Sequence, residues 1–322
     1  YAGRLRNQVS FMLSACNFYM PIFEEALDAY GLPLELRYLP IIESALNPSA
    51  VSRAGASGLW QFMIGTGKIY GLESNSLVDE RRDPIKATWA AARYLKEMYD
   101  IYGDWNLVIA AYNCGPGTIN KAIRRANGET DYWKIYNYLP KETRGYVPAF
   151  IAANYVMTYY CDHNICPMET NIPASTDTVQ VNKNLHFEQI ADLCNVPLDQ
   201  IKSLNPQYKK QMIPGDSKPY TLRLPIDAIS TFIDKQDTIY AHRADELFRN
   251  RKTVAIKEIT PSTRKTTTAV AGKGKLTYYT IKSGDTLSTI AGKYGVTIKD
   301  IQRWNGMSNT KIAAGKRLKI YK

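Results

Sequence analysis

Apolar positions recur three and four residues apart along four stretches in the first half of the chain. This spacing predicts amphipathic helices over Phe11–Tyr30, Asp83–Tyr102, Trp105–Ala111 and Val147–Tyr160. Asp83-Pro84 is a helix-start signal, an acceptor at the cap followed by proline in the first turn. Gly31, Gly71 and Gly103 follow periodic stretches and mark helix ends. Between Asn47 and Gly67 the periodicity lapses into Gly, Ser, Ala and Pro, the composition of a structured loop of the kind that often carries functional side chains.

The second half repeats itself at an offset of 100 residues. Val179, Val181, Ile190, Ala191, Val196, Leu198, Ile201, Leu204 and Asn205 correspond to Tyr279, Ile281, Ile290, Ala291, Val296, Ile298, Ile301, Trp304 and Asn305. Each copy predicts a short strand, two short helices and a closing strand, at Tyr220–Leu224 in the first and Arg317–Tyr321 in the second. The first copy carries a four-residue insertion before its closing strand. Helical pattern resumes over Ile226–Arg249, and a Thr/Lys-rich polar connector runs from Glu258 to Lys275. The expected division is therefore 1–172, 173–226, 227–276 and 277–322. Units as small as the repeats have marginal cores and suit surface recognition better than catalysis.

Charge sharpens this division. Residues 1–172 hold 16 Lys/Arg against 17 Asp/Glu, and residues 173–322 hold 25 against 13, so the first half is nearly neutral and the whole of the net +11 arises in the second. A basic tail implies an anionic partner, either nucleic acid or an anionic envelope polymer. Five cysteines lack metal-site spacing, although Cys161 and Cys166 are close enough for a small disulfide loop in an oxidising compartment. None of the three histidines has a nucleophile beside it, which argues against a Ser/His or Cys/His triad. No apolar run is long enough for a membrane span. The chain begins at Tyr1 and not at methionine, which leaves room for a preceding leader or lipid anchor and hence for membrane association.

One residue stands out chemically. Leu39-Pro40-Ile41-Ile42-Glu43-Ser44 places a carboxylate directly after an apolar run. Apolar surroundings disfavour the charged form and raise the pKa, as a general acid near neutral pH requires. Such a glutamate is more often the exposed edge of a helix, and the surrounding residues decide against that here. Glu43, Ser44, Asn47, Pro48, Ser52, Gly55, Ala56, Gly58, Leu59, Gln61 and Met63 form one block. Ala111-Tyr112-Asn113-Cys114-Gly115 forms a second, and Glu142-Thr143-Arg144-Gly145-Tyr146-Val147-Pro148 a third. In this order, the blocks resemble the lytic transglycosylases related to soluble lytic transglycosylase and goose-type lysozyme, in the branch of murein transglycosylase D. Ile64, Cys114 and Ala149 depart from that pattern without removing a side chain assigned to chemistry.

The resemblance implies an α+β multidomain protein, with a mainly α-helical, goose-type lysozyme-like catalytic domain over 1–172. It implies cleavage of the bond between N-acetylmuramic acid and N-acetylglucosamine, without metal or organic cofactor. Glu43 is the expected acid/base and Tyr146 its hydrogen-bond partner. Ser52, Gln61, Met63, Tyr112 and Asn113 are expected to line the sugar cleft, and Gly55 and Gly58 to allow close backbone approach to the glycan. No second carboxylate in the blocks suits a nucleophile, with Asp79 and Asp83 reading as turn and cap residues. The family's route, in which the substrate's own N-acetyl group assists and a 1,6-anhydro ring closes, is expected in place of the two-carboxylate scheme.

The repeats resemble LysM modules, which bind N-acetylglucosamine-containing glycans beside the first strand–helix loop. Residues 278–321 fit closely, with Gly284, Asp285, Thr286 and Asn305 as the expected glycan-binding set. The first copy has Asn184-Leu185-His186-Phe187 where the second has Gly284-Asp285-Thr286-Leu287, so its fold is the firmer expectation. Peptidoglycan strands are the expected partner, in a bacterial cell envelope, periplasmic or outer-membrane-associated. Three alternatives remain: a lysozyme-type hydrolase, a wall-binding scaffold with an idle catalytic domain, and nucleic-acid binding. The last rests on charge alone, and no nucleic-acid-binding fold is recognised.

Overall fold

The computed structural model describes residues 1–322 apart from 170, 171, 174, 249–275, 283, 284, 308–311, 313, 314 and 322. The chain divides into two compact units, Tyr1–Ile259 and Thr260–Lys322. The polar connector lies outside the described residues.

In the first unit, α1 (Arg6–Ala29) begins before the periodic stretch and runs through Pro21. Its early start has a tertiary cause. The Arg6 guanidinium donates to the carbonyls of His163 (2.9 Å) and Asn164 (2.7 Å), fastening the first turn to a distant segment. Next come α2 (Leu39–Ser44) and α3 (Ile64–Ile69). α4 (Pro84–Tyr102) is capped as its sequence signals, with Asp83 Oδ1 accepting from the amides of Ile85 and Lys86 at 3.0 Å. α5 (Trp105–Cys114) extends beyond the predicted Ala111. Leu107, Val108, Ile109, Ala110 and Ala111 are all buried, which makes α5 the central helix. Around it lie α6 (Pro116–Arg125), α7 (Tyr132–Ile135) and α8 (Lys141–Thr158). α8 starts six residues earlier than its apolar period suggests, because its first turns carry site residues in place of a regular apolar stripe.

The first repeat follows within the same unit. It comprises β1 (Thr176–Val181), β2 (Asn184–His186), α9 (Phe187–Cys194), α10 (Leu198–Leu204), β3 (Met212–Pro214) and β4 (Tyr220–Pro225). β1 and β4 pair antiparallel, as the sequence pattern requires. β3 pairs with β2 in a second small sheet not foreseen from the sequence. α11 (Ile226–Asp234), α12 (Gln236–Ala241) and α13 (Ala244–Leu247) then pack Ala228, Phe232 and Ile239 into this repeat's core. The second unit is a βααβ module of β5 (Leu276–Thr280), α14 (Leu287–Tyr294), α15 (Ile298–Asn305) and β6 (Arg317–Tyr321). The fold class expected from the sequence, a mainly helical domain with small βααβ modules, is the one observed.

All five cysteines are free thiols. Among the described residues, no helix is long and apolar enough to cross a membrane, and no group of His, Cys, Asp and Glu is arranged to hold a metal.

Candidate active site

α2 ends in a sharp reversal, with Ala45 (φ 52°) and Leu46 (φ 59°) both in the left-handed region. Leu39, Pro40 and Ile41 are buried, and this anchors the helix and leaves Glu43 half-buried in its last turn. The Tyr146 hydroxyl, on the second turn of α8, donates to Glu43 Oε1. Burial pushes the Glu43 carboxyl up, the Tyr146 hydrogen bond pulls it down, and the nearby charge of Glu142 pushes it up again, to about 7. Burial, followed by the charge of Glu43, holds the phenols of Tyr112 and Tyr146 well above their ordinary range. Both phenols therefore remain hydrogen-bond donors at any physiological pH.

The loop after α2 is built from its own polar groups. Ser52 Oγ accepts from the Ala56 amide at 3.0 Å. Gln61, at φ 48°, donates its side-chain amide to the carbonyls of Gly58 (2.8 Å) and Ala50 (3.2 Å). Ser44 Oγ donates to the Leu59 carbonyl at 2.9 Å, and the Tyr112 hydroxyl to the Trp60 carbonyl at 2.7 Å. Trp60 is fully buried, and its indole donates to Thr88 at 2.9 Å. Met63 is exposed at the end of the loop. Ser52, Gln61 and Tyr112 thus hold this loop together. Gly58 makes the close approach its sequence context suggests, but to protein and not to open space. At φ 89°, a Cβ there would lie 1.7 Å from the Arg81 carbonyl oxygen. Gly55, also at positive φ, faces open space.

Asn113 closes α5, and its Oδ1 accepts from Thr143 Oγ1 at 2.9 Å. The three sequence blocks therefore come together around Glu43: the first supplies that carboxyl and the loop, the second Tyr112, whose phenol feels its charge, and the third Tyr146, which bonds it. Two residues missed at the sequence level belong with them. Thr143, fully buried, fixes Asn113. Glu142 is a carboxylate of the third block whose charge reaches Glu43, although no role was assigned to it from the sequence. The helical period of the third block was the available signal, since residues 142 and 146 stand four apart on α8 and share a face. A cavity of about 920 Å³ opens near the site, lined by Phe18, Leu46, Pro48 and Leu204, and Glu43 does not line it.

In the second unit, Asp285 Oδ2 accepts from Tyr279 Oη and the Lys282 amide, each at 2.8 Å. Thr286 caps α14. Asn305 donates to the carbonyls of Ile301 and Lys319 at 2.8 Å and accepts from the Lys319 amide at 2.7 Å. These three side chains secure the module's own loops. Gly284 lies outside the described residues. Asn205 repeats the Asn305 arrangement in the first copy, bonding Ile201 O (2.9 Å), Arg223 O (2.8 Å) and Arg223 N (2.8 Å).

Comparison with known proteins agrees with this layout. Residues 20–135 match the transglycosylase SLT domain, residues 175–241 the LysM-like domain of lytic transglycosylase MltD, and residues 279–320 the LysM domain. The chain therefore carries an SLT-type transglycosylase domain followed by two LysM-type modules. It is 33% identical over 296 residues to membrane-bound lytic murein transglycosylase D of Escherichia coli strain K12, covering 90% of this chain and 60% of that protein. The chain thus spans about 60% of that relative's length. Soluble lytic murein transglycosylase of the same strain is 33% identical over 124 residues, covering 37% of this chain and 19% of that protein. Among solved structures, the 70 kDa soluble lytic transglycosylase of Escherichia coli aligns at 29% identity with a TM-score of 0.39, covering 44% of this chain and 24% of that one.

Proposed function

We propose that this chain cleaves the MurNAc-β-1,4-GlcNAc bond of peptidoglycan without consuming water, leaving 1,6-anhydro-MurNAc ends. The observation that carries the proposal is the half-buried Glu43 carboxyl, held near neutrality by burial and oriented by Tyr146. A carboxyl with a pKa of about 7 is populated both as an acid and as a base around neutral pH, and one residue can serve in both roles. Protonated Glu43 donates to the glycosidic oxygen as the C1–O bond breaks. The substrate's N-acetyl oxygen attacks C1 and carries the developing positive charge. Glu43, now a carboxylate, takes the proton of the 6-hydroxyl as O6 attacks C1 and the acetamido group is released.

Ser52, Gln61, Met63, Tyr112 and Asn113 form the sugar-facing wall in this scheme, with Ser52, Gln61 and Tyr112 also securing their loop. The second LysM module tethers the enzyme to the wall and raises its local concentration on the glycan. Asp285, Thr286 and Asn305 shape the module's binding face, and Gly284 belongs to the same set. The working division is 1–172 for catalysis, 173–226 for the first module, 227–276 as connector and 277–322 for the second module. The setting is the bacterial cell envelope.

Glu142 supports a second reading. Its charge bears on Glu43, which makes it the candidate second carboxylate of a lysozyme-type hydrolase in which water attacks. Mass spectrometry of digested peptidoglycan separates the two. Anhydro ends establish the transglycosylase, whereas reducing ends, heavier by one water, establish the hydrolase. Sacculus binding without soluble product would sink both.

A further inference from the structure

The first LysM-like module is joined to the loop that precedes α4. Val78 and Tyr208 form an antiparallel bridge. The Asp79 amide donates to the Gln207 carbonyl at 2.9 Å, and the Lys209 amide to the Leu77 carbonyl at 2.6 Å. Lys209 Nζ donates to the Asn75 carbonyl at 2.9 Å and stands 3.7 Å from Asp79 Oδ2. Lys218 pairs with Glu73 at 2.7 Å, and Tyr220 Oη donates to the same carboxylate at 3.1 Å. Leu77 and Val78 lie in the module's apolar core, not in that of the helical domain.

From this junction a buried relay runs to the Glu43 loop. Asp79 and Arg81 form a two-pronged pair at 2.9 and 2.8 Å, with both side chains almost fully buried. Burial alone would raise the Asp79 carboxyl, but the hydrogen bonds and charge of Arg81, then the charge of Lys209, hold it below the usual range. Arg81 Nη1 donates to the carbonyls of Gly55 and Phe62, each at 2.9 Å. Those carbonyls flank the stretch that carries Gly58, Trp60 and Gln61. Arg82 Nε adds a bond to Ser57 Oγ at 3.0 Å.

The module's first strand–helix junction is tied to its own chain. β3 pairs along β2. Asp216 accepts from the Asn184 amide at 3.0 Å and from its side chain at 2.5 Å. Gly215 packs so tightly that a Cβ would fall 2.2 Å from the Lys183 carbonyl oxygen.

We infer that this module is a brace: through Lys209, Asp79 and Arg81 it positions the loop that bears Gln61 against Glu43. Lys209 and Asp79 are positioning residues. The inference rests on the proposed glycan cleavage for its kinetic consequence, but not for its structural one.

The test uses the full chain with Lys209→Met, which keeps the stem and removes the charge, and Lys209→Arg, which restores it. Lys218→Ala with Tyr220→Phe serves as a second, milder loosening of the junction. Hydrogen exchange should rise over residues 50–62 while α4 and α5 keep their protection. The KM for soluble glycan fragments should rise roughly tenfold with a smaller change in kcat, as expected when a substrate-positioning wall is displaced. The alkaline limb set by Glu43 should stay in place, because the Glu43–Tyr146 bond lies on α2 and α8. Lys209→Arg should recover most of the loss. Unchanged exchange over 50–62, exchange rising uniformly, or KM unchanged per folded molecule would each overturn the brace. If the parent chain releases no product, the functional proposal fails, and the exchange pattern still decides the brace.

Discussion

The hydroxyl of Tyr146 donates to Glu43 Oε1 across 103 positions of sequence, joining the last turn of α2 to the second turn of α8. The bond stabilises the ionised carboxylate, so it opposes the burial that raises the Glu43 pKa. Tyr146→Phe removes the opposing influence, and the pKa moves further up from about 7. Activity that needs protonated Glu43 falls as pH rises through that pKa, so the alkaline limb of the variant should shift to higher pH. Loss of orientation should lower turnover at the optimum about tenfold or more. A pH–rate profile of both proteins checks both effects, and a limb that stays or moves down would contradict the assignment.

Glu43→Gln should abolish cleavage and preserve the fold. It should also stabilise the first unit at alkaline pH. Because the native carboxyl binds its proton more tightly than an unfolded one at 4.5, folding is penalised once the group must ionise. The penalty is absent below about 4.5, grows between 4.5 and about 7, and is complete above that. The amide variant escapes it, by on the order of 1–3 kcal/mol at pH 8. Urea unfolding at pH 8 and pH 4 should show the advantage at the first and none at the second.

Thr143 matters through Asn113. Thr143→Val keeps the buried volume but leaves the Asn113 side chain without its 2.9 Å partner. An unmet buried polar group costs about 1–3 kcal/mol. Here the amide can instead rotate, so the expected result is weaker substrate binding more than lost stability. Thr143→Ser should restore it, as read by the KM and kcat of the pair.

Gly58 is the least replaceable residue of the loop. Gly58→Ala drives a methyl into the Arg81 carbonyl at a backbone angle of 89° that L side chains rarely adopt. A loss of about 2 kcal/mol or more is expected, together with disturbance of the buried Trp60. Thermal unfolding and tryptophan fluorescence would show it, and near-parental values would mean that the Arg81 segment yields easily.

The sequence by itself determined the helical core and the 100-residue repeat, and it singled out Glu43 as the candidate acid. Periodic apolar spacing is a local signal, and the same spacing makes Ile190 and Ile290, or Ile201 and Ile301, core residues of equivalent modules. The paired roles of Asn205 and Asn305 follow from that repeat. Only the tertiary structure decided three things. Glu142 bears on Glu43 because α2 and α8 pack together, a relation that no local pattern encodes. Ser52 and Gln61 bond within their own loop and Tyr112 bonds to it from α5, since a half-buried loop must satisfy its polar groups wherever partners happen to lie. Asp79, which reads as a turn residue in sequence, turned out to link a distant module to the Glu43 loop. Its role depends on Arg81 and Lys209 converging from different parts of the chain, and burial makes that convergence strong.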